Sequence, residues 1–288
     1  VKVLRAKSYG FCMGVRRAVD MAYAEAGSAT TAKVATMGPL IHNPQALAAL
    51  REQGVDELAD VGPAADLADT TVVIRAHGVA PAVQRRLEDS GARIVDATCP
   101  RVRLSQKKAR LLSGAGYRLF LAGESHHGEI VGIQGYAPDC LVVAGAEEAR
   151  EQALALRRQD EGLKTALIGQ TTLSQEEFAA IAAALRSVFP DLEVYDTICR
   201  ATKDRQNALR ALCAKVDALV IVGGKNSANT RRLHELALQS GKPAWHVETE
   251  AELPAGIGAY AVVGLSAGAS TPDAVIDRVE ARLLSLPN

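Results

Sequence analysis

Arg93-Ile94-Val95-Asp96-Ala97-Thr98-Cys99-Pro100-Arg101 reads as a short strand that stops at a Thr-Cys pair and turns directly into a helix. Pro100 suits a first helical position, where its missing N–H costs nothing. A helical pattern over 101–112 follows. The same junction occurs twice more, as Gly10-Phe11-Cys12-Met13-Gly14 after an apolar run at 1–4 and as Thr197-Ile198-Cys199-Arg200 after one at 192–195. A junction met three times at long intervals signals an internal repeat.

Outward from these junctions, strands are predicted at 33–37, 71–75, 117–122, 140–143, 164–169, 217–222, 244–247 and 260–264, with a weaker one near 55–58. Helical patterns lie between many of them, at 14–26, 44–53, 83–90, 175–188, 202–213, 231–239 and 272–284. Alternating strands and helices imply parallel sheets with helical crossovers. Such sheets bind ligands beyond the carboxyl ends of their strands.

Those ends carry polar loops in a regular register. The first set is Pro39-Leu40-Ile41-His42-Asn43, Ser125-His126-His127-Gly128-Glu129 and Lys225-Asn226-Ser227-Ala228-Asn229. His42, His127 and Ser227 follow their cysteines by 30, 28 and 28 residues. The second set is Arg75-Ala76-His77-Gly78, Gly169-Gln170-Thr171-Thr172 and the stretch ending Gly268-Ala269-Ser270, with His77, Thr171 and Ser270 at offsets of 65, 72 and 71. The expectation is an α/β protein of three similar units, each of about four mostly parallel strands with flanking helices. They cover 13–98, 99–198, and 199–288 completed by 1–12. A pseudo-threefold arrangement would turn the cysteines and the polar loops toward one central cluster cavity.

Composition narrows the function. Over 288 residues, Lys+Arg and Asp+Glu are both 33, which argues against a nucleic-acid partner, since phosphate binding needs a clustered cationic excess. No apolar run approaches the roughly 18–20 residues of a membrane span. The first residues, Val1-Lys2-Val3-Leu4-Arg5, read as a strand and not as a signal peptide, so a cytoplasmic location is expected. Five cysteines in a chain this long are no disulfide framework. Cys140 lies in a strand and Cys213 late on a helix, and both are assigned to the core.

Cys12, Cys99 and Cys199 are candidate thiolate ligands for a soft metal or an iron–sulfur cluster. A zinc site of three cysteines and a histidine stays open on count alone, although no C-x₂-C pair is present. A four-iron cubane on three thiolates would leave one iron free for a substrate. Around it, the Gly223–Thr230 and Ser266–Thr271 segments have the look of phosphate-binding loops that open onto helices. No nucleotide-binding signature accompanies them. His42, His77 and His127 add donors for an anion, whereas His126, His234 and His246 fall outside the register and are read as structural. Glu129 follows His127 by two residues and is a candidate proton donor, with Thr171 as a hydroxyl relay.

These motifs together resemble the 4-hydroxy-3-methylbut-2-enyl diphosphate reductase family over essentially the whole chain. The matching stretches are G-F-C-M-G-V at Cys12, I-H-N at His42, A-H-G-V at His77, D-A-T-C-P at Cys99, H-H-G-E at His127–Glu129, Q-T-T-L-S at Thr171, D-T-I-C at Cys199, K-N-S-A-N at Ser227–Asn229 and A-G-A-S at Ser270. The resemblance implies a 4Fe–4S cluster on Cys12, Cys99 and Cys199, and a diphosphate held by His42, His77, His127, Ser227, Ala228, Asn229 and Ser270. It implies protonation by Glu129, with Thr171 near the substrate hydroxyl. The implied reaction is reductive dehydroxylation to isopentenyl and dimethylallyl diphosphate, the last step of the non-mevalonate isoprenoid pathway. Electrons would come from a donor such as a ferredoxin or flavodoxin. One departure stands out: many family members carry a second serine where this chain has Ala228. A 4Fe–4S hydro-lyase would share the open iron but need no reductant, which separates the two readings.

Overall fold

The computed structural model describes residues 1–28, 33–62, 65–160 and 162–286. Its strands form three separate four-stranded parallel sheets. The first contains β2 (Lys33–Met37), β3 (Val55–Leu58), β4 (Thr70–Ile74) and β5 (Arg93–Asp96), in spatial order β3-β2-β4-β5. The second contains β6 (Arg118–Ala122), β7 (Leu141–Val143), β8 (Thr165–Gly169) and β9 (Glu193–Val194), ordered β7-β6-β8-β9. The third contains β10 (Ala218–Val222), β11 (Ala244–Val247) and β12 (Val262–Ala267), and its fourth strand is β1 (Lys2–Arg5), ordered β11-β10-β12-β1.

All three sheets thus have the same order, and the N-terminal strand completes the last one. The weakly predicted run near 55–58 is a true edge strand, paired in parallel with β2. In each sheet the chain moves outward after the first strand and returns on its other side. The first and third strands therefore flank a topological switch point, where open parallel sheets bind ligands.

The central strands are buried on both faces, which is why they read as unbroken apolar runs and not as alternating ones. Ala218-Leu219-Val220-Ile221-Val222 is the clearest case, with every residue fully buried. Successive side chains point to opposite faces of the sheet. In the second sheet, Phe120 and Leu167 pack with Phe178 and Ile181 of α7 (Gln175–Arg186) and Ala153 of α6 (Ala146–Arg157). Leu119, Leu121 and Ile168 instead meet Ala109 and Leu112 of α4 (Pro100–Gly114) and Ile130 and Ile133 of α5 (Gly128–Gln134). In the third sheet, Val220 and Leu265 face Ile276 and Val279 of α10 (Asp273–Leu284), while Leu219 and Ile221 face Leu209 of α8 (Arg200–Cys213) and Leu233 of α9 (Ala228–Gln239). Each such fully buried aliphatic side chain contributes about 1.5–3 kcal/mol.

The described residues group into two compact units. One holds the third sheet with residues 1–19, 41–53 and 200–288, and so includes α2 (Pro44–Glu52) and the first half of α1 (Met13–Ala26). The other holds the first and second sheets, with residues 20–40 and 54–199. No helix among the described residues is long and apolar enough to cross a membrane.

Among the described residues, two α-helices lie outside the predicted set. The first, α6, carries Glu147 and Glu148 in its first turn, a favourable pairing with the helix dipole. The second, α5, is seven residues long and contains Gly128 and Gly132, a poor helix former alone. It forms because Ile130 and Ile133, one turn apart, both reach the core of the second sheet. Just past its end, a side chain at Gly135 would lie 2.4 Å from the Ala80 Cβ, so glycine permits the first and second repeats to meet there.

Candidate functional site

Each cysteine immediately precedes a helix: Cys12 before α1, Cys99 before α4 and Cys199 before α8. Their backbone environments are equivalent. The Cys12 N–H donates to the Ala269 carbonyl at 3.1 Å, the Cys99 N–H to Ala76 at 2.9 Å, and the Cys199 N–H to Thr171 at 3.0 Å. In every repeat, then, the cysteine is tied to the loop that follows the third strand. None of the three is in a disulfide, and all are partly exposed. The Val15 N–H, in the first turn of α1, also points at the Cys12 Sγ, 3.5 Å away. Cys140 and Cys213 are buried in the apolar cores. Burial pushes the Cys140 thiol up to about 11, which keeps it protonated and inert.

The loops after the first strands are equivalent as well. Gly38, Gly123 and Gly223 each donate a backbone hydrogen bond to the end of the neighbouring edge strand, at 2.8, 2.9 and 2.9 Å. His42, His127 and Ser227 stand four residues beyond these glycines. His127 caps α5, its Nδ1 accepting the Glu129 N–H at 3.2 Å. An accepting Nδ1 leaves Nε2 as the ring's donor in the neutral form, so His127 can hydrogen-bond an anion without carrying charge. Its ring lies edge-on to that of His77, with centroids 5.1 Å apart.

In the unit built on the third sheet, Ser227 caps α9, its Oγ accepting the Thr230 N–H at 3.3 Å. The Ser270 hydroxyl donates to the His42 carbonyl at 3.1 Å and lies 3.4 Å from the Ser227 Oγ. Asn229 Oδ1 accepts the Ala269 N–H at 3.0 Å, and its buried Nδ2 has no partner among the described residues. Helix α9 begins at Ala228, three residues before the predicted start, because the Ser227 cap nucleates it there. Ala228 and Asn229 are therefore first-turn residues, and their N–H groups are among those that any helix start leaves open to an anion. No hydroxyl is needed at Ala228 for that contribution.

Gly224 closes this corner. A Cβ there would lie 2.5 Å from the His42 carbonyl oxygen. Gly224→Ala is expected to push the His42 loop off the serines and raise KM for a diphosphate substrate about tenfold, equivalent to ~1.4 kcal/mol. Steady-state kinetics of the variant measure this.

The second sheet brings Glu129 and Thr171 together across 42 residues of sequence. Glu129 is 1% exposed. Its Oε1 accepts the Thr171 N–H and its Oε2 the Thr171 hydroxyl, both at 2.7 Å. Thr171 thus links the buried carboxylate by its side chain and amide, and Cys199 by its carbonyl.

The strand register shifts one sequence assignment. Ile74, Gly169 and Ala267 occupy matching positions opposite Met37, Ala122 and Val222. Three residues on from each stand His77, Thr172 and Ser270, so Thr172 and not Thr171 is the positional equivalent of the other two. Thr171 corresponds to Ala76 and Ala269, the carbonyls that hold the cysteines.

Two residues without a sequence signal support these loops. Gln170, fully buried, joins the loops after β6 and β8 by accepting the Glu124 N–H at 3.0 Å and donating to Thr172 Oγ1 at 2.8 Å. Arg205, 4% exposed, donates to the Gly10 and Ala201 carbonyls at 2.5 and 2.8 Å and clamps the segment before Cys12 onto α8. His234 and His246 have structural partners, the carbonyls of Ala244 and Gly223. Burial lowers the His246 pKa, which favours the neutral ring.

Comparison with known proteins matches residues 3–284 to the family model described as LytB protein. The 4-hydroxy-3-methylbut-2-enyl diphosphate reductase of Treponema denticola is 46% identical over 287 residues, covering 98% of this chain and 99% of that protein. The enzyme of the same name from Anaeromyxobacter sp. strain Fw109-5 is 43% identical, with coverage of 99% and 98%. Among solved structures, the E-1-hydroxy-2-methyl-but-2-enyl-4-diphosphate reductase of Plasmodium falciparum superposes with a TM-score of 0.88 at 25% identity, covering 99% of this chain and 89% of that one. A structure titled (E)-4-hydroxy-3-methyl-but-2-enyl diphosphate reductase, the terminal enzyme of the non-mevalonate pathway, has a TM-score of 0.70 at 35% identity and covers 99% of both chains.

Proposed function

The chain belongs to the LytB protein family, and on that premise we propose that it reduces (E)-4-hydroxy-3-methylbut-2-enyl diphosphate to isopentenyl and dimethylallyl diphosphate, the terminal step of the non-mevalonate pathway. The observation that carries this reading is the buried Glu129–Thr171 pair, bonded through Thr171 to the backbone of Cys199. It joins a candidate proton donor to a candidate metal ligand.

The chain is iron–sulfur dependent, and the cluster is a 4Fe–4S held by Cys12, Cys99 and Cys199. The donor set suits this. None of the three thiols is in a disulfide, each immediately precedes a helix, and each is oriented by the same backbone bond. When bound, the cluster supplies electrons and an iron without a protein ligand that acts as a Lewis acid.

The protein's own groups do the rest. The Ser227 and Ser270 hydroxyls, the Ala228 and Asn229 amides at the start of α9, and the rings of His42, His77 and His127 bind the diphosphate. These are mostly neutral donors, so they anchor the anion by directed hydrogen bonds more than by charge. Glu129 delivers a proton to the departing hydroxyl, directly or through the Thr171 hydroxyl. Burial excludes bulk water from that transfer and fixes its direction. The three repeats, 13–98, 99–198 and 199–288 with 1–12, are the units of this design, each contributing two loops, with Cys12, Cys99 and Cys199 at the boundaries between them. A cytoplasmic compartment accords with five cysteines that form no disulfide.

The test is anaerobic purification followed by iron and sulfide analysis, then incubation with the substrate with and without a reductant. A brown protein that forms both isoprenoid diphosphates only when reduced is the expected result. A colourless protein with tightly bound zinc, or one that turns over without electrons, overturns it.

A further inference from the structure

The reaction proposed above removes the hydroxyl as water and leaves a new C–H bond, consuming two electrons and two protons per turnover. Beyond the three proposed ligands, the cysteines of this chain are Cys140 and Cys213, both in apolar cores, so no second sulfur-based redox centre receives electrons on the way. A carrier must therefore approach the cluster itself, near one of its ligands.

Helix α4 starts at the residue after Cys99 and has the composition of a landing surface. Its sequence, PRVRLSQKKARLLSG, holds five cationic residues and no acid, in a chain whose charges balance overall. One face buries Val102, Ser105, Gln106, Ala109 and Leu112. The other exposes Arg101, Arg103, Lys107 and Arg110 around Leu104 and Leu111, which are 57% and 68% exposed. Arg103 is paired with Asp96 at 2.6 Å, whereas Arg101, Lys107 and Arg110 form no ion pair among the described residues. Beside the helix lies a hollow of about 290 Å³ with Arg103, Lys107 and Arg110 among its walls and Ile74 and Val79 among its apolar lining. Gln106, 4% exposed, also lines it, and its Nε2 has no hydrogen-bond partner among the described residues, a buried donor that an incoming carboxylate would satisfy. At 1.5 Å rise per residue, Lys107 is roughly 12 Å along the axis from Cys99.

We propose that the outer face of α4 is the docking surface for an acidic one-electron carrier protein, which delivers electrons to the cluster beside Cys99. Apolar residues ringed by unpaired cations are the arrangement of a transient, electrostatically steered interface. The carrier is oxidised by one electron at each of two dockings per turnover. This inference rests on the iron–sulfur reading, and its test separates the two.

The experiment compares the purified, cluster-loaded parent with Lys107→Glu/Arg110→Glu, using two electron sources: a reduced plant-type ferredoxin, which is acidic, and dithionite-reduced methyl viologen, which needs no docking face. The variant is expected to raise KM for ferredoxin at least about tenfold and to flatten the salt dependence of kcat/KM. Its iron content and viologen-driven rate stay at the parent level. The charge-neutral Lys107→Gln/Arg110→Gln falls between. Unchanged ferredoxin KM and salt dependence in the reversed variant overturn the proposal. So does binding of a labelled oligonucleotide that the same substitutions abolish while the ferredoxin KM stays put, since the face then serves nucleic acid. A parent inactive with both electron sources instead counts against the reductase reading.

Discussion

Cys99→Ser purified without oxygen will have lost most of its iron and will turn over at least about 10³-fold more slowly than the parent. Serine is nearly isosteric, so the Cys99 N–H bond to Ala76 and the start of α4 should survive. What changes is the ligand. A hydroxyl is not deprotonated near neutral pH and is a poor partner for soft iron. With the iron goes Lewis-acid stabilisation of several kcal/mol, and each ~1.4 kcal/mol is a factor of ten in rate. Cys12→Ser and Cys199→Ser should behave alike, because their backbone environments match. Cys140→Ser and Cys213→Ser should keep the parent's iron, since those thiols sit in apolar cores. Iron and sulfide per chain, read with the visible absorption, decide the matter. Parent-level iron in Cys99→Ser would remove that residue from the ligand set.

Glu129→Gln should give the opposite pattern: a normal cluster spectrum with kcat reduced by about 10²–10⁴, the usual range for a lost general acid. The amide oxygen of glutamine can still accept the Thr171 N–H, so the local fold is retained. An amide cannot deliver a proton near neutral pH. Thr171→Val keeps the backbone bonds to Glu129 and Cys199 but removes the hydroxyl, and should cost less than Glu129→Gln if the carboxyl reaches the substrate directly. Substrate affinity in Glu129→Gln should change little, which single-turnover binding measurements check. A variant with the parent's kcat would take Glu129 out of the mechanism.

The Thr171 result also shows where sequence register loses precision. Counting from the cysteines places Thr171 with His77 and Ser270, yet strand pairing puts Thr172 there. Loop lengths between the cysteine and the third strand differ among the repeats, so sequence offsets drift while hydrogen-bond register does not. The shift separates two jobs: Thr171 holds Cys199 and meets Glu129, and Thr172 is braced by Gln170. Helix α5 was likewise hidden, since two glycines in seven residues mask a segment that only burial of Ile130 and Ile133 makes helical.

The sequence by itself determined the three-repeat α/β plan, the order of its strands and the three matching strand–cysteine–helix junctions. These are written in local signals: apolar runs that must be buried on both faces of a sheet, helical periodicity between them, and a glycine, proline or threonine at each cysteine junction. Only the tertiary structure decided that Glu129 meets Thr171, that each cysteine amide finds the loop after the third strand, and that Arg205 clamps the approach to Cys12. Those bonds join residues 23 to 257 positions apart. Their geometry follows from how strands register side by side, and no window of neighbouring residues contains it.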